Sequence, residues 1–600
     1  MKTFVCLFCF ILLSLPAFGS AQETSATLPD VVVSATRVEE PVQDVAQDVT
    51  VLTAQEIKRD GFSTITGAIA SVMGVQVNEY GNRGSIATAS IRGATSAQVL
   101  ILIDGKRLNL PSTGQFDLND LPITLDDVER IEVVRGASSA LYGADAMGGV
   151  INIITKNPGK PVTSLSASYG SSDTRHISAY SSRQAGVFGY VLSTEKETSD
   201  GFMPNTDYDL WNLDGKVTLK LSKDANVVFN ANYEHKEEGV PGEVDYPTPD
   251  AREHDENELF GIGLNIKKMH LNLYSHKSGL HYWDPLVEDD YYRTGMRGAD
   301  IQDSFLLGSS NLVTAGGEIV AERLNSNVVG IKNRTTEGVF AQDQLIFTEN
   351  LIATAGLRYD NYDLGSRVTP RVSALYRPFA KTTFRISAGM GYRVPTFEDL
   401  YWPNTGYAEG NPNLKPEKSK EYEISFEQMF GKSLTAKALA FHKNVEDLIQ
   451  WEELPSGMWM PENIDQARIN GIEFDANYVF KNIALSLSYY YQDPKDENTG
   501  ENIPYLPRQN VKGNISYETK TGLIASLEGN YVSNYVTPGS PSWSYYYLNG
   551  KISQKVPLFG GRANGEIFLE GKNILDNKYQ IVQGYPMPPA AVTGGVRISF

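Results

Sequence analysis

The sequence predicts a transmembrane antiparallel β-barrel of about 22 strands with an N-terminal α+β plug domain inside its lumen. Three observations carry this expectation: an apolar leader at the start, period-2 alternation of apolar and polar residues from residue 158 to residue 600, and a different patterning before it. Mean hydropathy is only −0.28, and no stretch after the leader reaches 18 apolar residues. A barrel reconciles a membrane location with that hydropathy, because only alternate residues of each strand face lipid.

The leader comes first. Met1, Lys2 and Thr3 precede an apolar run from Phe4 to Phe18, broken by Ser14 and Pro16 and followed by the small residues Gly19 and Ala21. A short basic start, an apolar core too short to cross a bilayer and a small-residue end describe a signal peptide over residues 1–21. Cleavage is expected after Ala21, with Gly19 as the rival site. Cys6 and Cys9 both fall inside it, so the mature chain has no disulfide, thiolate metal site or cysteine nucleophile. Loss of Lys2 with the leader takes the formal charge from −19 to −20, which argues against nucleic acid as a partner. No H-E-x-x-H, G-x-S-x-G or phosphate-cradling G-x-x-x-x-G-K-[ST] occurs, and the chain is not expected to be an enzyme. An outer-membrane hydrolase is the enzymatic alternative.

Residues 22–48 read as an extended segment and linker, and residues 49–157 as the compact plug. Val99-Leu100-Ile101-Leu102-Ile103 is an apolar run suited to a strand buried on both faces, and Asp104-Gly105 is the pair that a type I′ turn demands. Arg107 and Leu108 begin a return strand, Arg130–Val134 and Val150–Ile154 supply two more, and Ala137–Tyr142 is one helical turn closed by Gly143.

After Asn157-Pro158-Gly159 the pattern changes. Phe384, Ile386, Ala388, Met390 and Tyr392 alternate with polar or small residues, as do Leu485, Leu487, Tyr489 and Tyr491. Such segments of about 10 residues between turns mark a transmembrane barrel, and Tyr489–Tyr491 and Tyr545–Tyr547 suit its interfacial girdles. The final strand, Val592–Phe600, places Val592, Val596, Ile598 and Phe600 on one face and ends on an aromatic residue, as a signal for barrel-assembly machinery would; the alternative is an ordinary edge strand that ends in Phe. The protein is expected to be an integral multi-pass barrel and a monomer in outer-membrane lipid.

Several motifs resemble the TonB-dependent receptor family over nearly the whole mature chain. Asp30-Val31-Val32-Val33-Ser34-Ala35 resembles a TonB box. Within the plug the likeness rests on Ser90-Ile91-Arg92-Gly93, Leu102-Ile103-Asp104-Gly105, Arg130 to Gly136, Leu141 to Ala146 and Gly148 to Thr155. Gly410 to Ser419 and Asn573-Ile574-Leu575-Asp576 extend it into the barrel. A short β-prone run upstream of a domain can also be read physically, as a strand added to the sheet of an inner-membrane coupling partner, TonB; the alternative is a first plug strand. The resemblance further implies that Arg92 and Arg135 on the plug face Glu423 and Glu473 on the barrel as a latch. It places Asn82, Arg83, Ser85, Asn109, Leu110, Ser112 and Thr113 on plug loops that meet the substrate.

Within the family, Gln98–Leu110, Tyr401–Ser419 and Gly584–Phe600 are most similar to the cobalamin (vitamin B12) receptor branch. That branch uses extracellular calcium, and Asp200, Asp245 and Asp250 match part of the pattern, although Thr198 stands where a further aspartate would help. Three carboxylates are an incomplete cage for an ion that takes six to eight oxygens, and solvated acidic loops are the alternative. No cofactor is expected to be required; a structural calcium in the extracellular loops is the one addition the resemblance implies. The resemblance implies uptake of a large, scarce metal chelate: cobalamin first, a ferric siderophore second, haem third. A passive porin or a surface adhesin would need neither plug nor box.

Val32→Pro removes a backbone donor and bars strand pairing. Cells carrying it should bind ligand at the surface yet accumulate none; normal accumulation would place the coupling segment elsewhere.

Overall fold

The computed structural model describes residues 32–33, 37, 40–503, 506–537 and 540–600. The leader (1–21) and Asp30, Val31, Ser34 and Ala35 lie outside the described residues. Val32–Val33 pairs antiparallel with Glu40–Pro41.

The barrel closes with 22 antiparallel strands, Val162–Gly170 pairing with the last strand, Ala591–Ser599. Closure leaves the wall no unpaired edge, which hydrocarbon would not tolerate. Period-2 alternation then decides what each face holds. Leu165, Ile177, Leu213, Phe260, Ile386 and Ile472 are exposed on the outside, whereas Glu195, Asn232, Lys236, Asn257, Glu421 and Lys443 are buried toward the lumen. Val592, Val596 and Phe600 are exposed along the closing strand. Tyr392 departs from its row. Pairing with Gly365–Phe379 ends at Arg371↔Gly389, and beyond it Tyr392 is fully buried, stacked on Tyr362 at 5.8 Å. The strand Thr382–Arg393 there turns toward the plug, where Asp145 N–H donates to Tyr392 O at 3.2 Å.

The plug is built on a five-stranded mixed sheet in the order Val49–Thr53, Val128–Arg135, Gly149–Thr155, Val99–Ile103, Lys106–Arg107. Val99–Ile103 is buried throughout and runs parallel to Gly149–Thr155. Asp104 and Gly105 both have positive φ, 48° and 78°, as the turn requires. Helices Ala54–Asp60 and Ile65–Ser71 cover the sheet, the first opened by a Thr53/Glu56 capping box and closed by Gly61 at φ 88°. A separate hairpin, Val75–Glu79 with Ala87–Ile91, carries Arg92 at its end.

Asn109, expected to meet substrate, is instead a strut of the plug. It is buried, its Oδ1 accepts from Ile101 N at 2.8 Å, and its Nδ2 donates to Val99 O at 2.9 Å and Gly114 O at 2.8 Å. The amide serves backbone groups of Val99 and Ile101, which the two-residue neighbour Lys106–Arg107 does not reach, and both its N–H donors are taken within the plug. Asn109→Ala should cost about 1–3 kcal/mol by leaving those groups unsatisfied. Hydrogen exchange should quicken over residues 99–114 while the barrel strands stay protected; unchanged exchange there would remove the strut.

Candidate functional site: the plug–barrel interface

Arg92 and Arg135 each precede a glycine that lets the plug backbone come against the wall. A Cβ on Gly136 would lie 2.3 Å from Glu423 Oε1, and one on Gly93 2.8 Å from Ile469 Cδ1. The acids face inward because their strand neighbours face lipid: Tyr422, Ile424, Ile472 and Phe474 are all exposed. Arg92, 1% exposed, meets Glu473 with a two-pronged contact, Nε–Oε1 at 2.7 Å and Nη2–Oε2 at 3.0 Å. Its Nη1 donates to Glu423 at 2.6 Å, and the guanidinium lies 5.1 Å from the Phe441 ring centroid. Arg135 comes within 3.8 Å of Glu473. Its main partner, however, is Asp48, at 2.8 and 3.0 Å, and it also donates to Met73 O at 2.8 Å.

Asp48 was not among the expected residues. It also accepts from Arg92 Nη2 at 2.6 Å and pairs with Lys437 of the wall. Burial alone would raise the Asp48 carboxyl, but Arg135, Lys437 and Arg92 together hold it well below the usual carboxylate range. Glu421 completes the group, 3.7 Å from Arg92 and 3.9 Å from Lys443. Asp48 stands in the linker just before the first sheet strand, where a lone aspartate gives no signal of its own.

The segment upstream of Asp48 follows the wall, and its contacts advance from strand to strand in order. Arg37 lies 3.7 Å from both Asp300 and Glu318, and Gln302 Nε2 donates to its carbonyl at 2.6 Å. Glu40 accepts from Gln344 at 2.9 Å, Asp44 pairs with Arg377 at 2.7 Å, and Val45 O accepts from Arg385 at 3.1 Å. Lys437 then holds Asp48.

On the extracellular side the two plug apices are covered. Asn82 donates to Thr206 O at 2.7 Å, and Arg83 pairs with Glu195 at 2.6 Å and Glu197 at 3.0 Å. Ser85 is half-buried beside Asn82, while Ile86 next to it is 41% exposed. Over the second apex sits the short barrel helix Phe397–Tyr401: Phe397 N and Glu398 N donate to Pro111 O and Ser112 O at 3.0 and 3.1 Å. Ser112 is consequently buried, with Leu110 and Thr113 half-buried. Of the seven expected substrate-facing residues, Asn109 and Ser112 are enclosed by protein.

A cavity of about 510 Å³ lies between plug and wall, lined by Lys58 and Arg597 toward the periplasmic end and by Arg83, Phe202 and Pro588 toward the other. A second charged junction stands elsewhere on the interface. Lys236, wholly buried, has its Nζ 2.5 Å from Asp120 of the plug, 3.1 Å from Glu238 and 3.6 Å from Asp117 and Asp255. Burial, then Asp120 beside it, pushes the Asp117 carboxyl up to about 7 against the pull of Lys236.

The expected calcium ligands are not brought together. Asp200, Asp245 and Asp250 are exposed, and none belongs to a group of three ligand side chains within 4.8 Å among the described residues. Asp200 follows the strand Phe188–Ser199, whereas Asp245 sits in a hairpin tied to another loop by Val244 N donating to Gly584 O at 3.0 Å.

The family model described as "TonB dependent receptor-like, beta-barrel" matches residues 153–574, and that of the TonB-dependent receptor plug domain matches residues 41–150. The chain is 28% identical over 529 residues to the vitamin B12 transporter BtuB of Photobacterium profundum, covering 81% of this chain and 82% of that protein. It is 28% identical over 594 residues to BtuB of Vibrio vulnificus, covering 93% and 92%. Among solved structures, the siderophore receptor PirA from Acinetobacter baumannii superimposes with a TM-score of 0.77 at 17% identity, covering 92% of this chain and 98% of that one. The ferric-catecholate import receptor Fiu from K12 E. coli gives 0.77 at 18%, covering 94% and 98%. At these identities the structural likeness speaks for the fold alone.

The charge network makes a thermodynamic expectation. Arg92→Ala takes the close cationic partner from Glu423 and Glu473, and Glu473→Ala takes from Arg92 its two-pronged contact; each loss of a buried partner should lower plug stability, by up to about 3–5 kcal/mol. The double variant should lose less than the sum of the two, by about 1 kcal/mol or more. Urea titration of the intact receptor, followed through hydrogen exchange of Ala87–Ile91, measures this; strictly additive losses would mean the two residues are not energetically linked.

Proposed function

This chain belongs to the TonB-dependent receptor family, outer-membrane β-barrels that take up chelate ligands and work with TonB, and on that premise we propose that it imports a cobalamin-type corrinoid. The observation that carries the choice of substrate is sequence likeness to curated B12 transporters sustained over as much as 93% of the chain, through plug and barrel alike.

In this reading ligand enters from the extracellular side, where the Thr206 loop beside Asn82 and the helix Phe397–Tyr401 over the 110–113 apex move aside to admit it. Energy arrives from the other side. Asp30–Ala35 adds as a strand to TonB, and tension on that segment is delivered first to Arg37. The contacts of Arg37, Glu40, Asp44 and Val45 with the wall lie in series, so each bears the load in turn rather than all together. The last is Asp48. Drawing its carboxylate away leaves Arg92, Arg135 and Lys437 without a shared counter-ion inside the lumen, where an unpaired charge costs several kcal/mol. The latch of Arg92 and Arg135 with Glu423 and Glu473 is thereby weakened, and the plug loosens along the side cavity.

Equilibrium binding of the purified receptor to cyanocobalamin, ferric enterobactin and haem tests the substrate. Saturable binding of cyanocobalamin, with TonB-dependent accumulation in cells, is the expected result. Binding of the ferric catecholate or haem without cyanocobalamin would overturn the corrinoid assignment and leave the family intact.

A further inference from the structure

Four ligand-type side chains meet on the outer surface of the barrel. The strands Ala225–Gly239 and Arg252–Ile266 pair so that His235 stands opposite Glu256 and Glu237 opposite His254. All four point away from the lumen, in the same rows as the exposed Phe229 and Phe260. They lie beyond Tyr233, which packs edge-on against Trp211 at 5.6 Å, on the extracellular side of that aromatic pair. The two imidazole rings are 4.6 Å apart. His235 Nδ1 lies 4.0 Å and His254 Nε2 3.8 Å from Glu256 Oε1, and His254 Nδ1 lies 3.6 Å and His235 Nε2 3.8 Å from Glu237 Oε1. One ligand atom each from His235, His254 and Glu256 falls within 4.8 Å of the others. His235 Nδ1 is buried and makes no hydrogen bond.

The geometry points to a zinc site, formed by His235, His254 and Glu256, on the outer face of the barrel wall. Two imidazoles and a carboxylate with one open position are a common donor set for this ion. Tetrahedral zinc with bonds near 2.1 Å needs ligand atoms about 3.4 Å apart. The two nitrogen–carboxylate separations, 3.8 and 4.0 Å, exceed that by about half an ångström, and all three ligand atoms lie within 4.8 Å of one another, so side-chain rotation brings them to the ion with the strand ladder unmoved. Nitrogen donors select against calcium and magnesium, which take oxygen. Glu237 is placed to hold the second nitrogen of an imidazole, which fixes its tautomer and orientation. The remaining position faces out of the wall and takes water. His281, directly opposite His254 on the next strand, extends the same row. The site lies on the opposite face of the wall from the lumen cavity and does not depend on the transported substrate.

Untagged full-length receptor in detergent, stripped with chelator and then titrated with Zn²⁺ against a chromogenic competitor, should bind one equivalent at this site. His235→Asn and His254→Asn should each weaken that binding about tenfold or more, whereas His176→Asn, at a histidine paired with Glu195 inside the lumen, should leave it unchanged. All three variants should keep the heat-modifiable gel mobility of a folded barrel. X-ray absorption of the zinc-loaded wild type should show imidazole scattering. Equal affinity in the His235→Asn/His254→Asn double variant, displacement by equimolar Ca²⁺, or an absorption spectrum without imidazole would each overturn the assignment.

Discussion

Arg92 cannot reach water, and its guanidinium is satisfied by carboxylates from two different parts of the molecule: Asp48 on the linker, and Glu423 and Glu473 on the wall. Much of the plug's seating depends on that compensation. A charge in a closed lumen is tolerable only while its partners stay in place, so the pairs hold strongly at rest and fail abruptly when one member leaves. Apolar packing between plug and wall would hold as well, but it would give way gradually with the area exposed. Ion pairs offer a discrete point of release, and Asp48 is where the linker's path meets it.

The wall supplies the other half of the arrangement. Because every backbone group in lipid must be paired within the sheet, the 22 strands form a rigid frame against which the plug can be moved. Side chains alternate strictly on that frame. One face of Glu417–Phe430 therefore carries Tyr422, Ile424 and Phe426 to lipid, and the other carries Glu417, Glu421 and Glu423 to the plug. The same alternation puts His235 and His254 outside and Lys236 and Asp255 inside on adjacent positions of two strands. A metal on the outer face and a plug contact on the inner face can thus share two strands with no side chain in common.

What could be read without coordinates was whatever is periodic or local. Alternation marked the barrel, Asp104-Gly105 marked a two-residue turn, and the motifs around Arg92 and Arg135 carried the resemblance that implied their latch with Glu423 and Glu473. Those signals are written in neighbouring residues, so chain order alone carries them. The central place of Asp48 was not legible, because its three cationic partners come from positions 92, 135 and 437 and are joined only by closure of the barrel around the plug. Asn109 looked like a ligand-facing polar residue until the fold turned it against the edge of its own sheet. Asp200, Asp245 and Asp250 looked like one site, yet Asp200 sits on one loop and Asp245 and Asp250 on the next, and they belong to no group of three ligand side chains among the described residues. His235 and His254 look unrelated in the chain, yet the antiparallel register sets them on diagonal positions of one face. The residue types and strand periodicity came from the sequence by itself; which charges share a counter-ion was decided only by the tertiary structure, since pairing across a closed lumen depends on distances that no local pattern encodes.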